Sequence, residues 1–198
     1  AATKSHIAEL GVFFHIIDTL KQGTWGGQLD SAHRAIEEAL LLDLEPAVAC
    51  CREAQAIFFV GRGAFYPTAL EGALKMKEIS YIHAEGYAAG EIKHGPFALL
   101  SPETPVVAIC VPGETYGVMA SNIREMKARG TPLIIIGEKG DRDLQEIADV
   151  FIPLPSADSF AGLLSATVIL QLLAYHTADA LGRDIDRPRN LAKSVTVE

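Results

Sequence analysis

Glu71, Lys75 and Glu78 are spaced by four and then three residues, which on a helix stacks all three side chains along one narrow stripe. Such a stripe has two readings. It is a solvated Glu–Lys ladder, or Glu78 is a general base that moves a carbon-bound proton while Lys75 holds its charge state. His94 stands in Ala89-Gly90-Glu91-Ile92-Lys93-His94-Gly95-Pro96, where Gly95-Pro96 ends any helix and leaves the imidazole beside a loop. The Glu91-x-x-His94 spacing also matches a carboxylate–metal motif, but the chain holds no second copy. Near the end of the chain, Ser194-Val195-Thr196-Val197 alternates polar and β-branched residues, so the tail is either a solvated end or an extended segment that sets Lys193 at fixed depth. An amine so placed forms a Schiff base with a ketone once its pKa is lowered.

Two glycine-containing loops add to these. Gly61-Arg62-Gly63 follows an apolar run, yet Tyr66 occupies the third glycine position of a dinucleotide fingerprint, which argues against a hydride-transfer cofactor. Val111-Pro112-Gly113-Glu114-Thr115 precedes a helix whose free amides suit an anion, and a plain tight turn is the alternative for both loops. Cys50, Cys51 and Cys110 have no zinc-ligand spacing and no histidine close in sequence, so they read as packed thiols of a reducing, cytoplasmic protein.

These residues need a frame. Ile7, Leu10, Phe14, Ile17 and Leu20 mark one helix ending at the Gly23 to Gly27 stretch, a second opens near Asp30-Ser31 and runs to about Leu42, and a third spans Pro46 to Glu53. After this helical segment, 1–55, come four short apolar runs: 56–60, 105–111, 132–136 and 149–153, separated by helical patterns near 66–81, 115–129 and 141–148. Strands without alternation, spaced by helices, predict parallel pairing with both faces covered, an α/β three-layer sandwich. A long amphipathic helix from about Phe160 to Leu181 leads to a charged tail, 182–198, and no linker divides the 198 residues. The net charge of −8 gives no general basis for gripping nucleic acid or an anionic membrane. No apolar run is expected to approach the roughly 20 residues that cross a bilayer. The chain starts Ala1-Ala2-Thr3-Lys4 without an initiating Met, which fits a processed protein or a piece of a longer one.

The chain resembles the C-terminal half of the isomerase portion of the glucosamine-6-phosphate synthase family, the isomerizing glutamine–fructose-6-phosphate aminotransferases. The resemblance rests on Gly61-Arg62-Gly63 through Tyr66-Pro67, on Ala69 to Tyr81, on Ala84-Glu85-Gly86-Tyr87 through His94-Gly95-Pro96, and on the tail from Pro188 to Glu198. It implies a sugar isomerase (SIS) fold over 1–198 with a parallel sheet of about five strands. The extra strand would fall around Ala84 to Tyr87, which periodicity alone reads as loop. It also implies two SIS copies per isomerase portion, a homodimer around the active sites, a sugar-phosphate ligand, and no metal or organic cofactor. The family converts fructose 6-phosphate and glutamine-derived ammonia to glucosamine 6-phosphate.

Carried over by position, His94 matches the ring-opening histidine, contributed across the dimer. Glu78 matches the base that moves the proton between C1 and C2, Lys75 its helper, and Lys193 the amine that condenses with the C2 ketone. The family's glutaminase domain and first SIS domain are absent from these residues and are expected in cis. Pro112 stands where a phosphate loop has serine, and Ala2 replaces a serine bordering the sugar. The alternatives are a free-standing SIS module that binds a sugar phosphate for regulation, and another SIS sugar-phosphate isomerase or deglycase.

Overall fold

The structure, a computed structural model, describes residues 1–23, 27–157 and 159–191. Its elements are α1 (Lys4–Leu20), α2 (Gln28–Ala39), α3 (Glu45–Arg52), β1 (Ala56–Gly61), α4 (Phe65–Ser80), β2 (His83–Ala88), β3 (Val106–Cys110), α5 (Tyr116–Lys127), β4 (Leu133–Glu138), α6 (Arg142–Ile147), β5 (Val150–Leu154) and α7 (Ser159–Ala180). The five strands form one sheet in the order β2-β1-β3-β4-β5, and every neighbouring pair is parallel. The expected α/β layering is present, with N-terminal helices and the fifth strand over His83–Ala88.

Alternate side chains of each central strand point to opposite faces, and each face builds its own apolar layer. Ile57, Phe59, Val107, Ile109, Ile134 and Ile136 pack against Ala69, Ala73 and Met76 of α4 and Ile169 and Leu173 of α7. Phe58, Val60, Val106, Ala108, Leu133 and Ile135 pack on the other side against Met119, Ile123 and Met126 of α5 and Leu144 of α6. Both layers are buried, which is why the runs lack polar alternation.

Three expectations change. The second helix opens at Gln28, with Gly27 at its N-cap in a left-handed conformation and Asp30 already inside the first turn, rather than at Asp30-Ser31. The last helix is not amphipathic: Ala161, Leu164, Ala166, Val168, Ile169, Leu170, Leu173, Ala174 and Ala178 are buried on successive faces, as are Ser165, Thr167 and Thr177. Its neighbours α2, α3 and α4 cover it from several sides. For the same reason Phe160–Ala180 is a 21-residue stretch long and apolar enough to cross a membrane. Here it serves as the core helix, with two thirds of the window buried within the protein.

Helix α4 is fixed from two directions by close backbone approach. A Cβ on Gly72 would lie 2.6 Å from Leu170 of α7, and one on Gly86 would lie 2.8 Å from the Leu70 Cα, so glycine is what lets α7 and β2 clasp α4.

Candidate functional site

Because α4 joins parallel strands β1 and β2, its first residues lie at the carboxyl ends of the strands and its last at their amino ends. Thr68, Ala69, Gly72, Ala73, Met76 and Ile79 recur at helical intervals and form its buried face. Lys75 is buried as well, at 3% exposure. Its Nζ donates to Glu78 Oε2 at 2.5 Å and lies 3.6 Å from Glu71 Oε1. The stripe is therefore no solvated ladder. Glu71 and Glu78 retain only 14% and 20% side-chain exposure, so the ammonium neutralises two carboxylates that are largely out of water.

The Lys75–Glu78 pair separates two hollows. Glu78 lines one of about 570 Å³ with Lys77, Tyr81, His83, Arg189 and Leu191. Lys75 lines another of about 390 Å³ with Ala1, Thr3, Gln171, Tyr175 and Asp186. The Gln171 amide nitrogen is buried there without a hydrogen-bond partner among the described residues. A hollow with a charged wall suits a polar ligand.

Helix α7 delivers the tail to this place. Past the helix, Asp184 Oδ1 accepts the Arg187 N–H at 2.9 Å, and the Tyr81 hydroxyl oxygen accepts the Arg189 N–H at 2.8 Å. Leu191 then reaches the Glu78 hollow. Lys193, two residues farther, lies outside the described residues, so its place beside Glu78 is not observed.

His94 is elsewhere. It ends a short 3-10 turn, Ile92–His94, beyond the carboxyl end of β2, is exposed, and its N–H bonds the Glu91 carbonyl at 3.0 Å. Six residues of β2 at about 3.3 Å each separate the two ends of the sheet by roughly 20 Å, so one chain does not bring His94 to Glu78. Among the described residues no three metal-ligating side chains group together, and Glu91-x-x-His94 gathers no further donor.

The carboxyl-edge loops form a third hollow, of about 550 Å³, lined by Pro112, Gly113, Tyr116, Glu138, Lys139 and Asp141. Tyr116 donates to Asp141 Oδ2 at 2.7 Å, and that bond drives the phenol pKa upward, with burial adding to it. The three thiols are free, and burial pushes Cys51 and Cys110 up to about 12 and Cys50 upward, the opposite of an activated nucleophile. Tyr81, Arg189 and Gln171 escape sequence reasoning. Tyr81 and Arg189 are 108 residues apart, and the only local sign is an aromatic ring just past the Glu71–Glu78 stripe.

A five-stranded parallel sheet in the order β2-β1-β3-β4-β5, with helices on both faces, defines a doubly wound α/β domain. The SIS domain family matches residues 51–178, and the chain belongs to that family. Along its whole length the chain is 45% identical to a glutamine–fructose-6-phosphate aminotransferase (isomerizing) of Methanothermobacter thermautotrophicus, of which it covers 34%. The C-terminal domain of a glucosamine-fructose-6-phosphate aminotransferase from Francisella tularensis superposes with a TM-score of 0.84 at 35% identity, over 94% of this chain and 56% of that one. A glucosamine-6-phosphate deaminase from Thermotoga maritima shares the fold, with a TM-score of 0.68 at 23% identity over 98% of this chain and 57% of that one. The chain thus spans about a third of the length of the curated relatives that match it fully.

Proposed function

We propose that this chain is one SIS unit of the isomerase portion of a glucosamine-6-phosphate synthase, acting on fructose 6-phosphate in amino-sugar synthesis. In this reading Lys193 condenses with the C2 ketone, losing water, ammonia from the glutaminase unit displaces the lysine amine from C2, and Glu78 moves the proton from C1 to C2. Lys75 holds Glu78 in place through its 2.5 Å hydrogen bond, and His94 from a second copy assists ring opening. The observation that carries it is Glu78, bonded to the buried Lys75 and set in the wall of a hollow that the tail reaches at Leu191, two residues before Lys193. The relatives' names support the substrate, and the separation of His94 from Glu78 supports a homodimer. Unpaired thiols at Cys50, Cys51 and Cys110 agree with a reducing cytoplasm.

No step here requires a metal or organic cofactor from these residues. Ammonia from glutamine and the main phosphate grip belong to a glutaminase unit and a first SIS unit in cis. These 198 residues alone therefore give weak or no synthase turnover, since lost anchoring forfeits the binding energy that positions the reacting carbons. The test is Lys193→Ala in the complete polypeptide. Turnover abolished with sugar-phosphate binding retained supports the enzyme, whereas unchanged behaviour supports a regulatory sugar-phosphate module.

A further inference from the structure

Tyr81 follows the last residue of α4, three positions after Glu78, and its φ of +67° places it in the left-handed region. Helices commonly end in that conformation, but the residue there is usually glycine, because a Cβ makes it costly. A turn into β2 alone has no use for a large aromatic side chain. The ring has other contacts: the Arg189 guanidinium lies over it at 4.2 Å from its centroid, and that of Arg183 at 5.5 Å. The hydroxyl oxygen accepts the Arg189 N–H at 2.8 Å.

The same backbone twist that ends the Glu78 helix therefore aims a phenol at the tail. Around it the tail is set by local bonds: the Arg183 N–H to the Ala178 carbonyl at 2.9 Å, and the Arg187 N–H to Asp184. Tyr81 links this folded tail to the end of α4, as Ile185 does by packing against the core cluster that holds Met76 and Ile79, and both Tyr81 and Arg189 line the hollow that holds Glu78.

We infer that Tyr81 is a positioning residue: held in a left-handed conformation at the end of α4, it clamps the 183–189 segment so that the tail enters the Glu78 hollow at fixed depth. The inference rests on the proposed role of Lys193, since the clamp matters to chemistry only if that amine reacts. It works through main-chain and cation–π contacts and touches no reacting atom.

The test uses two variants of the complete polypeptide. Tyr81→Phe keeps the ring and removes the acceptor. Tyr81→Gly removes the clamp while relieving the left-handed strain, so it does not fail for want of a stable backbone. In Tyr81→Phe the Arg189 amide should exchange with solvent hydrogen about tenfold faster, the worth of one hydrogen bond, with the β1 and β3 amides unchanged. With fructose 6-phosphate and borohydride, reduction of the Lys193 imine to a stable secondary amine should slow by about tenfold to a hundredfold in Tyr81→Gly, the scale of a 1 Å misplacement. The loss should fall in the rate of trapping and not in the sugar concentration that half-saturates it. Unchanged Arg189 exchange in Tyr81→Phe, or parental trapping in Tyr81→Gly, overturns the clamp. No adduct in the parent overturns the Lys193 reading and the positioning role with it, a result distinct from equal trapping in parent and variant.

Discussion

An ammonium that is buried and bound to two carboxylates on its own helix is chemically different from an exposed ion pair, and Lys75 shows the difference. Its 2.5 Å contact with Glu78 and 3.6 Å contact with Glu71 give the two acids unequal roles. Glu78→Gln in the complete polypeptide should lower isomerisation by about 10²- to 10⁴-fold, the range of general-base catalysis, with sugar-phosphate binding retained. Loss of binding with the rate would instead make Glu78 a binding residue. Lys75→Met leaves two largely buried carboxylates without their counter-ion and should cost about 3 kcal/mol in urea unfolding. A cost near zero would mean that the pair is solvated in solution. The spacing of 71, 75 and 78 made this cluster legible in the sequence. Its burial was not legible, because the covering residues come from distant places, among them Ala1, Thr3 and Gln171.

At the scale of elements, continuous apolar runs disclose the four strands with two covered faces, and the missed one has a physical reason. The β2 sequence His83-Ala84-Glu85-Gly86-Tyr87-Ala88 has no β-branched residue and carries a glycine, yet it pairs fully with β1 along one side. As an edge strand with an exposed first residue it needs no hydrophobic run, so only likeness to known sequences located it. The amphipathic reading of α7 failed for the opposite reason, since a helix covered by its neighbours needs no polar face. Opposite β2, Asp149 ties three elements. Its carboxylate accepts from Lys127, at the end of α5, at 2.7 Å and from the Leu133 N–H of β4 at 2.8 Å, just ahead of β5. Partial burial pushes its pKa up, but these bonds outweigh it and hold the carboxyl below its usual value of 3.8. The unfolded chain therefore binds a proton more readily than the folded one. The stabilisation is complete above about pH 4 and is lost as pH falls through the folded value. Asp149→Asn should lower stability at pH 7, by about 1 kcal/mol for an ion pair this exposed, and the gap should close as pH falls through the lowered folded value. A gap that persists in acid would show that packing, not charge, is responsible.

For the whole molecule the decisive feature is the placement of His94 and Glu78 at opposite ends of one sheet. No side-chain rearrangement closes a gap of roughly a strand's length, about 20 Å. Exposed Leu70 and Leu74, each more than 40% accessible, sit on α4 on either side of Glu71 in sequence, so the surface beside the cluster is apolar and open. If His94 acts at Glu78, it comes from a second copy, and two-fold symmetry then fixes an arithmetic result. Glu78→Gln and His94→Ala should each be inactive as homodimers of the complete polypeptide. After the two are unfolded and refolded together, half of the dimers pair one variant with the other. Each such dimer holds one site with both defects and one with neither, so the mixture should recover about one quarter of the parent activity. Mass measurement of the mixed dimers confirms that exchange occurred. Mixed dimers with no recovered activity would mean that His94 is not shared between copies, and the separation seen in one chain would then remove it from the site altogether.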